Sequence, residues 1–492
     1  MSMRVRSTTR LLALLLLFLA LIDGAHGQNT GTPPPGTNLQ PQTVGPTPVN
    51  STPPPPTASG YLFDQGKPLA GFGDMLAKHG IYLKGFYSGT LYGVPSGGVQ
   101  RTNLFYNEAF YGADFDLQKM MGLDGSVIHF SLDSRFGGFN QGVNNLTGFS
   151  QGFLAGSGPD NNTRLNEFTL DQHLFNDHVR FIVGRTTLAS YFGTSELYCQ
   201  FVSSICSNMV PFNWSSNSNS PFWPISTWAG EFSVWPTKNY YLRAGASESN
   251  PYQYTRAGFP WDAGWGTRNA TGVYTPVEIG YTTSASDVRY PTKVDVGFYH
   301  DTSNSTDPRY NTTGGKLAFS GGTPANFGSS TGVYAQYRQM VWRPDPAKPQ
   351  GVDVFAGALL DTSGHAFVQN YFEAGLVTHG TFPSRPFDSA GLLFTEFLLN
   401  GRQTGAVNDR IAAAGLFGNV SRTAQLIELN YGLAVAPGIE FKPFTDFTFH
   451  PDQNIFDISV PNPRVHYAWA VGGQFSILFN IATGLPSFFR DN

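Results

Sequence analysis

Residues 465–479 read VHYAWAVGGQFSILF. Val465, Tyr467, Trp469, Val471, Gly473, Phe475, Ile477 and Phe479 fall on one side of an extended chain, and His466, Ala468, Ala470, Gly472, Gln474, Ser476 and Leu478 on the other. Successive side chains of a strand point to opposite faces, so this is a strand with one strongly apolar face. It is longer than an ordinary globular strand of about 5–6 residues. It suits a tilted strand crossing the hydrocarbon core of a bilayer, which takes about 9–11 residues.

The same pattern recurs toward the N-terminus. Ile128, Phe130 and Leu132 oppose His129, Ser131, Asp133 and Arg135. Val294, Val296 and Phe298 oppose Asp295, Gly297 and Tyr299, and Val352, Val354, Ala356, Ala358 and Leu360 oppose Asp353, Phe355, Gly357 and Leu359. Ile427, Leu429, Tyr431, Leu433 and Val435 oppose Glu428, Asn430, Gly432 and Ala434. Counted from residue 81 to 479, such segments number roughly 16, an even number wide enough for an aqueous lumen. Pro443 sits inside one of them and cannot donate to a ladder, which predicts a bulge or break there.

Composition separates a membrane barrel from a soluble β-sandwich, which alternation alone cannot do. Charged residues make up 13% of the chain, against about 25% in soluble domains. Aromatics reach 14%, with 41 Phe and 22 Tyr. A lipid-facing band shown to the sequence at every second residue accounts for both. A formal net charge of −4 offers no basic face for nucleic acid.

The ends fix the compartment. Arg4, Arg6 and Arg10 precede the apolar run 11–22, and Ala25-His26-Gly27 supplies small residues around one variable position. This is a signal peptide over 1–27, with cleavage expected after Gly27. Its apolar run, about 12 residues, is too short to span a bilayer as a helix. Residues 28–59 form a Pro/Thr-rich leader without a core-forming pattern. Segment 60–80 is expected to carry a short periplasmic helix, with Leu69, Phe72 and Leu76 on one face and Gly80 as its stop. The barrel is assigned to 81–492. Cys199 and Cys206 are the only cysteines. In an exported chain they point to a disulfide pinning a loop, and no completing set of ligands nearby suggests a metal.

Two connections are long: 137–163, rich in Asn and Gly, and 188–223, which holds both cysteines. Long loops in compact folds are usually functional. In a barrel, such a loop can fold inward and narrow the lumen.

Taken in order, several pieces resemble the carbohydrate-selective porin family, OprB. They are 74–81 (DMLAKHGI), 163–168 (TRLNEF), 172–175 (QHLF), 183–185 (VGR), the cysteine-bounded loop 199–206, 241–245 (YLRAG), 372–376 (FEAGL) and 383–388 (PSRPFD). The resemblance covers nearly all of 69–486 and implies a barrel of 16 strands that passes glucose and related sugars by diffusion. Met75 departs from the family's opening motif, which usually has Trp after Gly-Asp. The terminal aromatic read by the barrel assembly machinery would here be internal, near Phe479.

Sugar passage needs donors, acceptors and aromatic faces rather than a catalyst. Alternation points Asp133, Arg135, Glu167, Glu231, Arg243, Arg338, Glu373 and Glu428 inward. Arg135, Arg164, Glu167, Arg185, Glu231 and Arg243 are the constriction candidates, being near the long loops. Trp223 and Trp228 are candidate stacking residues, although an aromatic girdle at the membrane interface stays open for them. Inward charges can equally be wall-to-wall ion pairs. Asp114 and Asp116 could be written as a glycosidase pair, but lumen wall is the simpler reading, and no hydrolase motif accompanies them. The expected partners are small sugars, outer-membrane lipid and the assembly machinery, with no cofactor and no nucleic acid. A homo-oligomer is compatible with the sequence. Two further readings are a barrel acting as a surface binding protein and a secreted β-rich hydrolase.

Overall fold

The computed structural model describes residues 60–488 apart from 64, 138–142, 153–161, 207–216, 221, 256–264, 349 and 455–460. The signal peptide and leader therefore lie outside the described residues. The strands are β1 (Ile81–Gly97), β2 (Asn103–Asp116), β3 (Ser126–Gly137), β4 (Asn162–Leu174), β5 (Val179–Thr186), β6 (Thr227–Val234), β7 (Tyr240–Ser249), β8 (Gly272–Thr282) and β9 (Thr292–Asp301). They continue with β10 (Ser305–Asn311), β11 (Pro324–Phe327), β12 (Ser330–Trp342), β13 (Gly351–Asp361), β14 (Val368–His379), β15 (Ser389–Leu399), β16 (Thr423–Ala436), β17 (Ile439–Phe449) and β18 (Tyr467–Leu478).

All except β10 and β11 form one closed barrel of 16 strands. Each pairs antiparallel with its chain neighbours, and β1 closes onto β18, with Phe86 opposite Leu478. Closure leaves no open edge, as a sheet in hydrocarbon requires. β10 and β11 make a separate hairpin within the β9–β12 connection, ion-paired through Arg309 to Asp409 (2.7 Å) of the helix Gly401–Ala413.

The two faces behave as the alternation predicts. Tyr467, Trp469, Val471 and Phe475 are exposed on the outside of β18, while Ala468 and Ala470 are buried. Val296, Phe298 and Leu429 are exposed, while Asp295, Tyr299 and Glu428 are buried. β13 adds something the alternation did not convey. Its inward Phe355 and Leu359 are apolar and buried, because a loop packs against them from within the lumen.

Pro443 corrects one expectation. β17 neither bulges nor breaks there: Lys442 and Pro443 face Gln474 and Gly473 in unbroken register with β18. On the β16 side, Asn430–Phe444 and Leu433–Phe441 share one register across the proline. The irregularity lies further on, between Ala434 and Ala436. A missing donor removes a hydrogen bond without requiring an extra residue, and the β18 ladder carries the strand past it.

Inward glycines make room for tyrosines. A Cβ on Gly280 would collide with the Tyr241 ring, and one on Gly297 with the Tyr334 ring. Both hydroxyls then reach Glu278, at 2.9 Å from Tyr241 and 2.8 Å from Tyr334. Gly297→Ala is expected to displace Tyr334 and cost about 1–3 kcal/mol. A lowered temperature for loss of the compact electrophoretic form would show this; an unchanged temperature would mean the ring is free to move aside.

The N-terminal helix spans Ala70–Lys78. Gly73 is the residue it buries, close under Leu485 and Pro486, while Phe72 stays exposed. Upstream, the Leu62 and Phe63 amides reach the Val435 carbonyl, and Tyr61 stacks on Phe387 at 4.5 Å. Residues 61–63 are thus stitched to the end of the barrel that carries the short turns.

Candidate functional site: the lined lumen

Long connections gather at one end of the barrel and short turns at the other. Inside, charged side chains form a belt from strand to strand. Lys84 of β1 lies 2.6 Å from Asp114 of β2 and 3.6 Å from Glu167 of β4. His129 of β3 bridges Asp114 (2.6 Å) and Asp171 (3.3 Å). Arg180 of β5 grips Asp171 with two hydrogen bonds, 2.9 and 2.7 Å. Arg243 of β7 sits between Glu231 (3.6 Å) and Glu278 (3.7 Å). Charges held this close, with fork geometry from Arg, keep a water-facing wall rigid.

The sequence candidates divide by position. Arg135 lies in the lumen on Glu108 (2.6 Å) and Asp133 (3.2 Å). Glu167 accepts from the Tyr191 hydroxyl at 3.2 Å, and Glu231 also accepts from Ser233. Trp223 packs on Phe110 with ring centroids 5.2 Å apart and donates its indole N–H to Glu108 at 3.1 Å. These join Arg243 in one lined interior. Arg164 stands opposite the inward Asp133 and donates to the Gln253 carbonyl in the β7–β8 connection (3.0 Å), nearer the mouth.

Arg185 and Trp228 stand elsewhere. They face each other across β5 and β6, and Arg185 also faces Phe168. Directly opposed residues share a sheet face, and Phe168 and Trp228 are both exposed on the outer wall. Trp228 donates to the Trp265 carbonyl at 2.8 Å, and the Arg185 guanidinium lies over the Trp265 ring at 5.5 Å. The pair therefore belongs to an aromatic cluster on the outside of the barrel. β5 pairs in unbroken register through Gly184, so regular alternation from the inward Arg180 and Ile182 already puts Arg185 on the outer side. Asp114 and Asp116 do not form a pair either: Asp114 is salt-bridged in the lumen, while Asp116 caps the helix Leu117–Met121 through the Gln118 and Lys119 amides.

The described part of the β5–β6 connection lines the lumen. Arg243 of β7 donates to the Tyr191 carbonyl. Glu278 of β8 accepts from the Gly193 amide at 3.0 Å. Lys293 of β9 donates to the Thr194 carbonyl at 2.6 Å, and Arg338 of β12 pairs with Glu196. The Tyr198 hydroxyl reaches Gln336 of β12 (2.7 Å) and Glu373 of β14. Gln200 donates to Asn430 of β16 at 2.7 Å. Phe192, Leu197, Phe201 and Ile205 pack into one apolar cluster with Phe355, Tyr371 and Phe397. A disulfide joins Cys199 to Cys206. Trp223, on the return, lands on β2. Lys84, His129, Arg180, Glu278 and Lys293 were not singled out from sequence. Their inward side was legible, but which charges the loop would touch was not.

Two mouth segments also meet. Ser150 donates to the buried carboxylate of Asp452 at 2.8 Å, and the Gln453 amide reaches the Gly148 carbonyl. Burial pushes the Asp452 carboxyl up to about 6, against hydrogen bonds from Asn454 and Ser150 that pull it down. Arg410 is the charged neighbour that feels it. A raised carboxyl favours the docked state while protonated. Docking is therefore strongest below about pH 4 and weakens as pH rises through about 6, by roughly 2–3 kcal/mol in all. Amide exchange of Gln453, corrected for intrinsic rate, should quicken over that window in the native chain and lose the dependence in Asp452→Asn; a flat native profile would remove the carboxyl from the contact.

A closed barrel with an apolar outer wall, a charged interior and a loop folded into the bore defines a porin. Residues 103–479 match the family described as "Carbohydrate-selective porin, OprB family", and the chain belongs to that family. It is an outer-membrane carbohydrate porin. It is 24% identical to Porin B of Pseudomonas aeruginosa over 370 residues, 71% of this chain and 78% of that one. The high-pH structure of Pseudomonas putida OprB superposes with a TM-score of 0.71 at 21% identity, covering 86% of this chain and 99% of that one. The low-pH structure gives 0.51 at 17%, covering 86% and 100%.

Proposed function

We propose that the chain passes small neutral sugars, glucose among them, by passive diffusion with no catalytic step. The lining of the loop carries this reading. Residues 191–203 coat the inner wall from β7 to β16 and also touch β4 at Tyr191 and β1 and β2 at Val202, so the loop narrows the bore and the water path runs beside it, past the charges of β1 to β5. Lys84, Arg135 and Glu167, with Arg243 beside the loop, offer fixed donors and acceptors to sugar hydroxyls there, and Trp223 offers an aromatic edge. Salt-bridged partners keep these groups from collapsing onto a permeating solute, so they act as a preset lining.

Short turns face the periplasm in barrels of this kind. The helix 70–78 then lies on the periplasmic side, and the long connections face outward. The outer wall meets lipid. Assembly through the barrel machinery would use an internal signal near Phe479, where β18 ends. Protein reconstituted in planar bilayers should open in discrete steps whose conductance falls as glucose is added. Steps indifferent to every sugar would leave a pore without the proposed lining.

A further inference from the structure

Glu373 is met by tyrosine hydroxyls, whereas Glu428 receives two consecutive amides of the loop. It is fully buried on β16, yet no ion pair to a base is found for it among the described residues. Its partners are backbone and amide donors: Val202 N–H at 2.8 Å on one oxygen, Ser203 N–H at 2.9 Å on the other, and the Asn430 side-chain amide at 2.8 Å. Val202 and Ser203 lie inside the ring closed by Cys199 and Cys206. Consecutive amides converging on a carboxylate form an anion nest, here with the anion supplied by the barrel wall.

The rest of the ring is held around this point. Gln200 bonds Asn430, two residues along β16 from Glu428. Lys442 of β17 donates to the Cys199 carbonyl at 3.3 Å. Val202 is buried among Tyr92, Tyr106 and Phe444, which belong to β1, β2 and β17. Asp446, opposite Glu428 in register, is buried and has no hydrogen-bond partner on either oxygen among the described residues. The wall therefore supplies negative charge at this place, and the two loop amides are the backbone donors that Glu428 receives from the loop.

We infer that Glu428 is a positioning residue for the constriction: it seats the disulfide-closed ring 199–206 against β16 and so sets how far the loop stands into the bore. This rests on the reading of the chain as a sugar pore. A carboxylate accepts at both oxygens. Glutamine turns one of them into a donor that faces the Val202 or Ser203 amide, so the seat is lost with almost no change in volume. The barrel is closed by its own ladders and does not depend on the seat.

The test is a comparison of Glu428→Gln, Glu428→Asp and Val202→Pro with the native chain. Val202→Pro removes one donor from the loop side and leaves the wall untouched. Each protein is checked for the compact, heat-modifiable form and then measured for single-channel conductance and for liposome permeation of glucose against a maltodextrin trisaccharide. With the ring unseated, both conductance and the trisaccharide-to-glucose ratio should rise by about threefold or more in Glu428→Gln and Val202→Pro. Glu428→Asp, which keeps the charge, should return the ratio toward native. Folded Glu428→Gln with native conductance and native ratio overturns the inference. Should that variant fail to assemble, native values in Val202→Pro overturn it equally. Loss of glucose permeation in every protein, native included, would instead strike the sugar-pore reading itself.

Discussion

Val296→Arg is expected to destabilise the barrel by about 2–4 kcal/mol, the cost of an arginine held at the bilayer midplane on a lipid-facing strand position. Val296 is exposed on the outer wall near the middle of β9, and Asp295 and Gly297 beside it face the lumen side. Placed in water, an exposed Val→Arg change would be within about 0.5 kcal/mol of neutral. The two environments therefore differ in outcome for one substitution. Urea titration in lipid vesicles, followed by tryptophan fluorescence, separates them. Val296→Leu, apolar and similar in size, should stay near native. A near-neutral Val296→Arg would mean that hydrocarbon does not touch this face.

The second large effect is expected at Arg135. Its guanidinium joins Glu108 and Asp133 in a buried group, and Glu108 also receives the Trp223 indole. Arg135→Ala leaves two buried carboxylates facing each other, and losing one partner of a buried ion pair typically costs about 3–5 kcal/mol. The same change removes a donor from the proposed sugar path and loosens Trp223, so glucose should block the conductance more weakly. Arg135→Gln combined with Glu108→Gln removes one charge of each sign and should recover much of the stability without recovering the glucose effect. Recovery of both would make Arg135 a wall residue and nothing more.

How much of this was legible in the sequence follows from what a period of two can encode. It fixes which side of a strand a residue faces, and so Asp133, Arg135, Glu231 and Glu428 were read as inward from sequence alone. Arg185 is a constriction candidate for its nearness to the long loop and not from alternation, which runs regularly through β5 and puts it outside. Trp228 is open between two roles from sequence alone. An indole suits a sugar platform and a membrane girdle equally well, and only its place opposite Arg185 on the outer face decides between them. The loop was legible as long and cysteine-bearing, but not its path. That path is set by contacts far apart in sequence, such as Glu428 with Val202 or Trp223 with Glu108. Phe355 and Leu359 hint at it, since an apolar inward pair is out of place in a wet lumen, but the hint does not name its partner.

Everything above depends on hydrocarbon outside and water inside. Tryptophan quenching by lipids brominated along their acyl chains reads this most directly, in variants that keep Trp469 alone or Trp223 alone. The account predicts strong quenching for Trp469 on the outer wall and little for Trp223 in the lumen. Equal quenching of both, or quenching of Trp223 with Trp469 spared, would contradict it.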